Sequence, residues 1–106
     1  MITLAFIVWL AFAVRDARGT NPHSLVRAFA CIHRYEGSWT DGGAPYYGGL
    51  QMDLQFQRAY GREFLRAFGT AENWPPSLQI AVAIKGYLAG RGFHPWPVTA
   101  RRCGLL

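Results

Sequence analysis

The stretch CIHRYEGSWTDGGAPYYGGLQMD, residues 31–53, decides the fold, because it joins the end of one helix to the start of the next. Its centre is rich in glycine, tyrosine and tryptophan, and the pairs Gly42-Gly43 and Gly48-Gly49 are typical of a loop or a short hairpin. Glu36 lies where the helix gives way to this loop. We therefore expect a small, mainly helical single domain with one loop or hairpin insertion beside the helix that carries Glu36.

The segment before the loop has the pattern of an amphipathic helix. Asn21 is a favourable N-cap, and Pro22 is a favourable first helical residue. An apolar stripe with spacings of four and three residues follows: Leu25, Phe29 and Ile32. The next position on this stripe is Glu36, and Gly37 then ends the helix. The pattern thus places a carboxyl group on the apolar face of the last helical turn.

An acid in that position has an unusual environment. Burial and the negative end of the helix dipole both disfavour the ionised form, so the pKa of Glu36 is expected to rise, as a general acid requires. The structural alternative is an ion pair with Arg34 or Arg58, and spacing alone leaves it open. Asp41 is the candidate for a second carboxylate, although a solvated turn aspartate is the ordinary interpretation of its Gly-rich surroundings.

The remainder of the chain reads as short helices separated by glycine and proline. The predicted elements are a helix over 54–60 with Asp53 as N-cap, a helix over 62–68, a helix from Pro75-Pro76 to about Leu88, and a last turn over 99–103. Gly61, Gly69 and residues 90–92 separate them. No internal repeat or second domain is visible.

Residues 1–14, MITLAFIVWLAFAV, are almost entirely apolar. They are shorter than the roughly 20 residues that span a bilayer, and they have the length of a signal-peptide core followed by the small-x-small pattern Ala11-Phe12-Ala13. A positively charged start is missing, so a buried helix or a misassigned start codon are alternatives. We expect residues 1–20 to be a leader and residues 21–106 to be an exported domain.

The composition is basic and aromatic. The formal charge is +5, which favours polyanions such as nucleic acid, anionic lipid or an anionic cell wall. The arginines are scattered apart from Arg101-Arg102, and no helix-turn-helix, zinc-finger or RNP pattern accompanies them, so we expect no nucleic-acid partner. The surplus of tryptophan and tyrosine suits a groove that stacks on flat ligands such as sugar rings, or else fills the core.

The histidines and cysteines do not predict a metal site. His23, His33 and His94 have no spacing typical of zinc ligands together with the two cysteines, so we expect neither a metal nor a cofactor. Two cysteines in an exported chain predict one disulfide. In a chain that is not exported, Cys31 and Cys103 would simply be small buried residues.

Four segments together resemble the resuscitation-promoting-factor domain, a transglycosylase-like module of the lysozyme superfamily that acts on bacterial cell walls. The resemblance covers about residues 25–106, and its motifs are Glu36-Gly37-Ser38-Trp39, Tyr46-Tyr47-Gly48-Gly49-Leu50-Gln51-Met52, Gln79-Ile80-Ala81-Val82-Ala83 and Trp96-Pro97-Val98. The first two are also similar to the Glu-Ser-Gly…Gly-Leu-Met-Gln pattern of soluble lytic transglycosylases.

The resemblance implies an α+β lysozyme-like fold and a lytic transglycosylase that breaks bonds between N-acetylmuramic acid and N-acetylglucosamine. Glu36 takes the catalytic role by position. The implied substrate-binding residues are Tyr47, Gln51, Trp39, Tyr46 and Trp96. The implied partners are peptidoglycan glycan strands and an anionic wall surface, for a monomer that is secreted or wall-associated in a bacterium. The alternatives are hydrolysis by the same site with Asp41 positioning water, a weakly active wall-binding or signalling module, and a membrane-tethered structural protein.

The sequence departs from the family in two places. The loop between Glu36 and Tyr46 is shorter than is usual there. The family joins a cysteine directly before the glutamate to one directly after Trp-Pro-Val, where Tyr35 and Thr99 stand here. Each cysteine of this chain lies four residues, about one helical turn, farther out. The resemblance therefore implies a relocated disulfide between Cys31 and Cys103.

Overall fold

The structure is a computed structural model that describes residues 21–106; the expected leader, residues 1–20, lies outside the described residues. The described part is mainly helical, as predicted. Its α-helices are α1 (Pro22–Glu36), α2 (Leu54–Tyr60), α3 (Arg62–Phe68), α4 (Pro76–Gly86) and α5 (Pro97–Arg102). A 3₁₀ turn (Ala71–Asn73) precedes α4, and a π turn (Tyr87–Arg91) follows it. No helix among these residues is long and apolar enough to cross a membrane.

Helix α1 forms for the reasons that its sequence indicates. The Asn21 side chain accepts a hydrogen bond from the Ser24 amide at 3.0 Å and so caps the helix. The predicted apolar stripe faces the core: Leu25, Phe29 and Ile32 are at most 3% exposed. Glu36 is the last helical residue. The prediction of an amphipathic helix that ends at Glu36 is confirmed.

The predicted starts and ends of the shorter helices are largely confirmed. Asp53 accepts a hydrogen bond from the Phe56 amide and caps α2. Helix α4 is shorter than predicted, because regular α geometry ends at Gly86 and the chain continues as the π turn, in which Gly90 has a φ of 107°. Helix α5 begins at Pro97, two residues before the predicted turn, since proline is favourable at a first helical position.

The insertion between α1 and α2 contains the smallest possible hairpin. Tyr47 and Met52 exchange two backbone hydrogen bonds, each 3.0 Å long, and form one antiparallel bridge. This bridge is the only β pairing within residues 21–106. The described part is therefore a small, mainly helical domain with a hairpin-like loop beside α1.

An aromatic core joins α1 to the C-terminal segment. The Phe29 ring packs against Phe93 and Trp96, with ring centroids 5.4 and 5.1 Å apart. A disulfide between Cys31 and Cys103, with Cα atoms 6.1 Å apart, connects the middle of α1 to the end of α5. The predicted disulfide is confirmed, and it holds the helix that ends in Glu36 against α5.

Candidate active site

Glu36 is a half-buried acid with one hydrogen-bonding partner. The Thr99 hydroxyl donates a hydrogen bond to Glu36 Oε2 at 2.7 Å. Burial raises the pKa of Glu36 above its ordinary value, and the bond from Thr99 opposes that rise because it favours the ionised form. No arginine within residues 21–106 forms an ion pair with Glu36, so the alternative pairing with Arg34 or Arg58 is not formed.

Gly37 allows the loop to lie against the end of α1. Its backbone is extended, with a φ of 169°, so a left-handed conformation is not what ends the helix. A Cβ atom at this position would lie 3.1 Å from both Asp41 Oδ2 and Gln51 Nε2. A side chain at this position would press on the ends of two side chains, so glycine favours the close approach of Asp41 and Gln51 to the residue that follows Glu36.

Gln51 has an unusual backbone conformation. Its φ is 48°, the one positive φ of a non-glycine residue in the described part of the chain. Such a conformation costs about 1–3 kcal/mol, and residues that adopt it occur in turns and cluster at functional sites. The Gln51 amide donates hydrogen bonds to Asp41 Oδ2 and to the Gly48 carbonyl, both at 2.9 Å. The loop thus fixes one amide and one carboxylate beside the end of α1.

A groove of about 540 Å³ leads away from these residues. Its walls include aromatic, amide and basic side chains: Tyr46, Gln51, Phe56, Tyr60, Arg91 and Trp96. Glu36 does not line the groove itself. Two of its lining residues have neighbours in common with Glu36: Gln51 lies against Gly37, and Trp96 caps the helix that carries Thr99. Gln51 is thus the lining residue that lies nearest in the fold to the chain neighbour of the acid, Gly37.

The aromatic residues predicted to bind a ligand differ in how accessible they are. Tyr46 is 51% exposed, and Tyr47 is half-buried in the antiparallel bridge. Trp39 stacks on His33 with ring centroids 3.7 Å apart, so one face of its indole is occupied. Trp96 is only 4% exposed and donates its indole hydrogen to the Leu50 carbonyl at 2.7 Å, so most of its ring serves the core. Tyr46 is the most open of these stacking surfaces.

Buried Gln79 holds the loop, and the sequence analysis assigned it no role. Its side-chain oxygen accepts a hydrogen bond from the Gly49 amide at 2.8 Å. Its amide nitrogen donates to the carbonyls of Trp39 and Trp74, each at 3.0 Å. Gln79 is fully buried on α4. The available signal was an amide on the apolar face of a helix, three residues before Val82.

Two further side chains fasten the same loop. Gln57 is also fully buried, and it donates to the Met52 carbonyl at 2.9 Å and accepts from the Ala71 amide at 3.0 Å. His33 Nδ1 lies 2.9 Å from the Gly49 carbonyl oxygen. His33 pairs the Gly49 carbonyl, which has no backbone partner among the described residues, and Gln57 adds a second bond to the Met52 carbonyl and ties it to Ala71, so both side chains stabilise the loop in one conformation.

No protein-family model, curated protein or solved structure matches this chain. Within residues 21–106, no group of three or more histidine, cysteine or acidic side chains is placed to hold a metal ion. The functional interpretation therefore depends on Glu36, its hydrogen bond from Thr99 and the groove beside them.

Proposed function

We propose that the protein is a peptidoglycan-cleaving glycosidase of the lytic transglycosylase type, with Glu36 as its single general acid and base. The observation that carries the proposal is a half-buried carboxyl group whose pKa is raised by burial, with a hydroxyl partner and no ion pair among the described residues. Membership of the resuscitation-promoting-factor family and an α+β lysozyme-like fold are part of this proposal.

The proposed reaction needs only one carboxyl group. Protonated Glu36 donates its proton to the glycosidic oxygen between N-acetylmuramic acid and N-acetylglucosamine, and the C1–O bond breaks through an oxocarbenium-like transition state. Ionised Glu36 then accepts the proton of the muramic acid C6 hydroxyl while that oxygen bonds to C1. The product is a 1,6-anhydro sugar, no water is consumed, and Glu36 is protonated again. Thr99 supports the ionised stage through its hydrogen bond.

The groove supplies contacts of the kind that a glycan needs. Tyr46 offers an exposed ring for stacking on a sugar, and Gln51 offers a side-chain oxygen that has no bond within the described residues. Trp39 and Tyr47 lie in the same loop, and Trp96 borders the groove with its edge. A secreted or wall-associated location accords with the disulfide, because disulfides persist in oxidising compartments.

Hydrolysis is the second candidate, and the position of Asp41 favours it. Gln51 holds the Asp41 carboxylate beside Gly37, directly after the acid. A second carboxylate at that point is suited to position a water molecule for attack at C1. In this reaction Asp41 accepts the proton of the water, and the product has an ordinary reducing end.

Mass spectrometry of digested peptidoglycan tests both candidates. We expect anhydro products, lighter by one water, from the wild type, and a rate loss of about 10²–10⁴-fold in Glu36→Gln. Glu63→Gln is the matched control, because Glu63 is exposed on α3 and has no place in the site. Reducing-end products would identify hydrolysis instead. Unchanged lysis by Glu36→Gln would overturn the catalytic role, and wall binding without any product would leave a binding module.

A further inference from the structure

Three arginines lie together on the surface formed by α2 and α3. Arg58, Arg62 and Arg66 line one shallow concavity of about 260 Å³, and the only other residue lining it is Leu65. All three arginines are exposed, whereas Leu65 is half-buried and packs against the core. Glu63 belongs to the same helix but does not line the concavity. Within residues 21–106, three positive charges therefore surround a small apolar floor, and no carboxylate lines the concavity with them.

This arrangement is unfavourable for the helices themselves. Arg62 is the first residue of α3, where the positive end of the helix dipole disfavours a cation. Arg62 and Arg66 are four residues apart on α3, and like charges at this spacing destabilise a helix. Local stability explains only Arg58 and Arg66, which stand in the last turns of their helices. Neither the helix dipole nor the helical spacing thus accounts for Arg62, and a departure of this kind from local preference is expected where a position serves a function.

We propose that Arg58, Arg62 and Arg66 form a binding site for the phosphate groups of an extracytoplasmic phosphodiester polymer. A bound phosphate would offset the repulsion among the three guanidinium groups. Guanidinium groups present paired N–H donors that match phosphate oxygens, and they are weakly hydrated, so they bind phosphate with little desolvation cost. Leu65 excludes water from one side of the concavity, which strengthens these contacts.

The disulfide indicates which kind of polymer the site meets. The bond between Cys31 and Cys103 forms and persists in an oxidising compartment, where nucleic acid is not the usual polyanion. The arginines lie outside the groove that leads to Glu36 and share no lining residue with it. The extracytoplasmic setting is that of the proposed glycosidase, but binding at this site requires no turnover, so the two proposals fail separately.

Binding of labelled poly(glycerol phosphate) to the oxidised full chain tests the proposal. Fluorescence anisotropy is measured from low salt to about 0.15 M salt, with polyglutamate and single-stranded DNA of equal charge as competing probes. The variant Arg58→Gln/Arg62→Gln/Arg66→Gln is expected to bind poly(glycerol phosphate) about tenfold more weakly at the higher salt concentration. The magnitude of its log–log salt slope should fall by about two, because each lost phosphate contact removes about 0.7.

The matched control removes the same charge elsewhere. Arg27→Gln/Arg34→Gln/Arg101→Gln alters three exposed arginines outside the concavity and is expected to weaken binding by less than about threefold. An equal loss of binding affinity in both triple variants would show that only the net charge matters, and it would overturn the proposed site. Tightest binding to polyglutamate would overturn the phosphodiester assignment, and tightest binding to DNA would overturn the assignment to an extracytoplasmic polymer.

A single substitution keeps the test interpretable if the triple variant unfolds. Arg62→Gln removes the cation at the start of α3 and should leave thermal stability equal to or slightly above that of the wild type. It is expected to bind the polymer about threefold more weakly. Unchanged binding by a folded Arg62→Gln protein would contradict the proposal.

Discussion

Replacing Gln79 with leucine is expected to destabilise the domain strongly and to release the loop beside Glu36. Leucine has about the same volume but cannot make the three hydrogen bonds of the amide. The Gly49 amide and the Trp74 carbonyl would lose their partner in buried surroundings, and each such loss costs about 1–3 kcal/mol. The Trp39 carbonyl is only partly buried, so water can replace its bond at little cost. The expected loss is therefore about 2–6 kcal/mol.

That loss is large beside the whole stability of a domain of this size, which is about 5–10 kcal/mol. Urea denaturation followed by tryptophan fluorescence measures it as a lower midpoint with an unchanged slope. Hydrogen exchange adds a local measurement, since the Gly49 amide should lose protection first and more than the amides of α1. A loss confined to global stability, with Gly49 still as protected as α1, would show that Gln79 does not hold the loop.

Gln55→Leu is the matched control for this experiment. It makes the same chemical change at an exposed position of α2, where the Gln55 side chain forms no hydrogen bond within the described residues. Its stability is expected to stay within about 0.5 kcal/mol of the wild type. If Gln79→Leu were also within that range, the hydrogen bonds read from the structure would not stabilise the fold.

Three further outcomes are expected. The variant Cys31→Ser/Cys103→Ser lacks the cross-link over 72 residues, so its free energy of unfolding in urea should be about 4 kcal/mol lower than that of the wild type. Reduction of the wild-type disulfide should give the same loss. No loss in either experiment would contradict a stabilising role of the disulfide. Because burial raises the pKa of Glu36 in the folded state, the wild type loses stability as pH rises from the ordinary pKa of a glutamate through the raised pKa, so Glu36→Gln should gain stability relative to it over that interval; a constant difference would refute this. Thr99→Val removes the bond that favours ionised Glu36, so the alkaline limb of the pH–activity profile should move to higher pH; an unmoved limb would exclude this role of Thr99.

The predictions that succeeded concern interactions between neighbours in sequence. Asn21 and Asp53 cap their helices through bonds to amides three residues away, so the short sequence around each is sufficient to predict them. The apolar stripe of α1 likewise depends only on helical periodicity. The disulfide was the one long-range contact predicted, and it followed from a resemblance in motif positions.

The features that were not predicted depend on contacts between residues far apart in sequence. Thr99 and Glu36 are 63 residues apart, and Gln79 meets Trp39 across 40 residues, so no local pattern indicates either contact. Gly37 ends the helix as predicted, but the close approach of Asp41 and Gln51 to it is visible only in the folded loop. The π turn after α4 is similar, because glycine indicates a break in a helix without indicating its form.

Two contacts between α1 and α5 explain how the acid is held. Cys31 pairs with Cys103, and Glu36 pairs with Thr99, so the two segments run antiparallel in one register. The contacts are about 7.5 Å apart along α1, at 1.5 Å per residue, and about 6 Å apart along the α5 segment. A covalent bond and a hydrogen bond at nearly equal spacing restrict rotation of the end of α1 relative to α5. Because Glu36 has no ion pair within residues 21–106 to orient it, this register, together with the loop packed against Gly37, positions its carboxyl group.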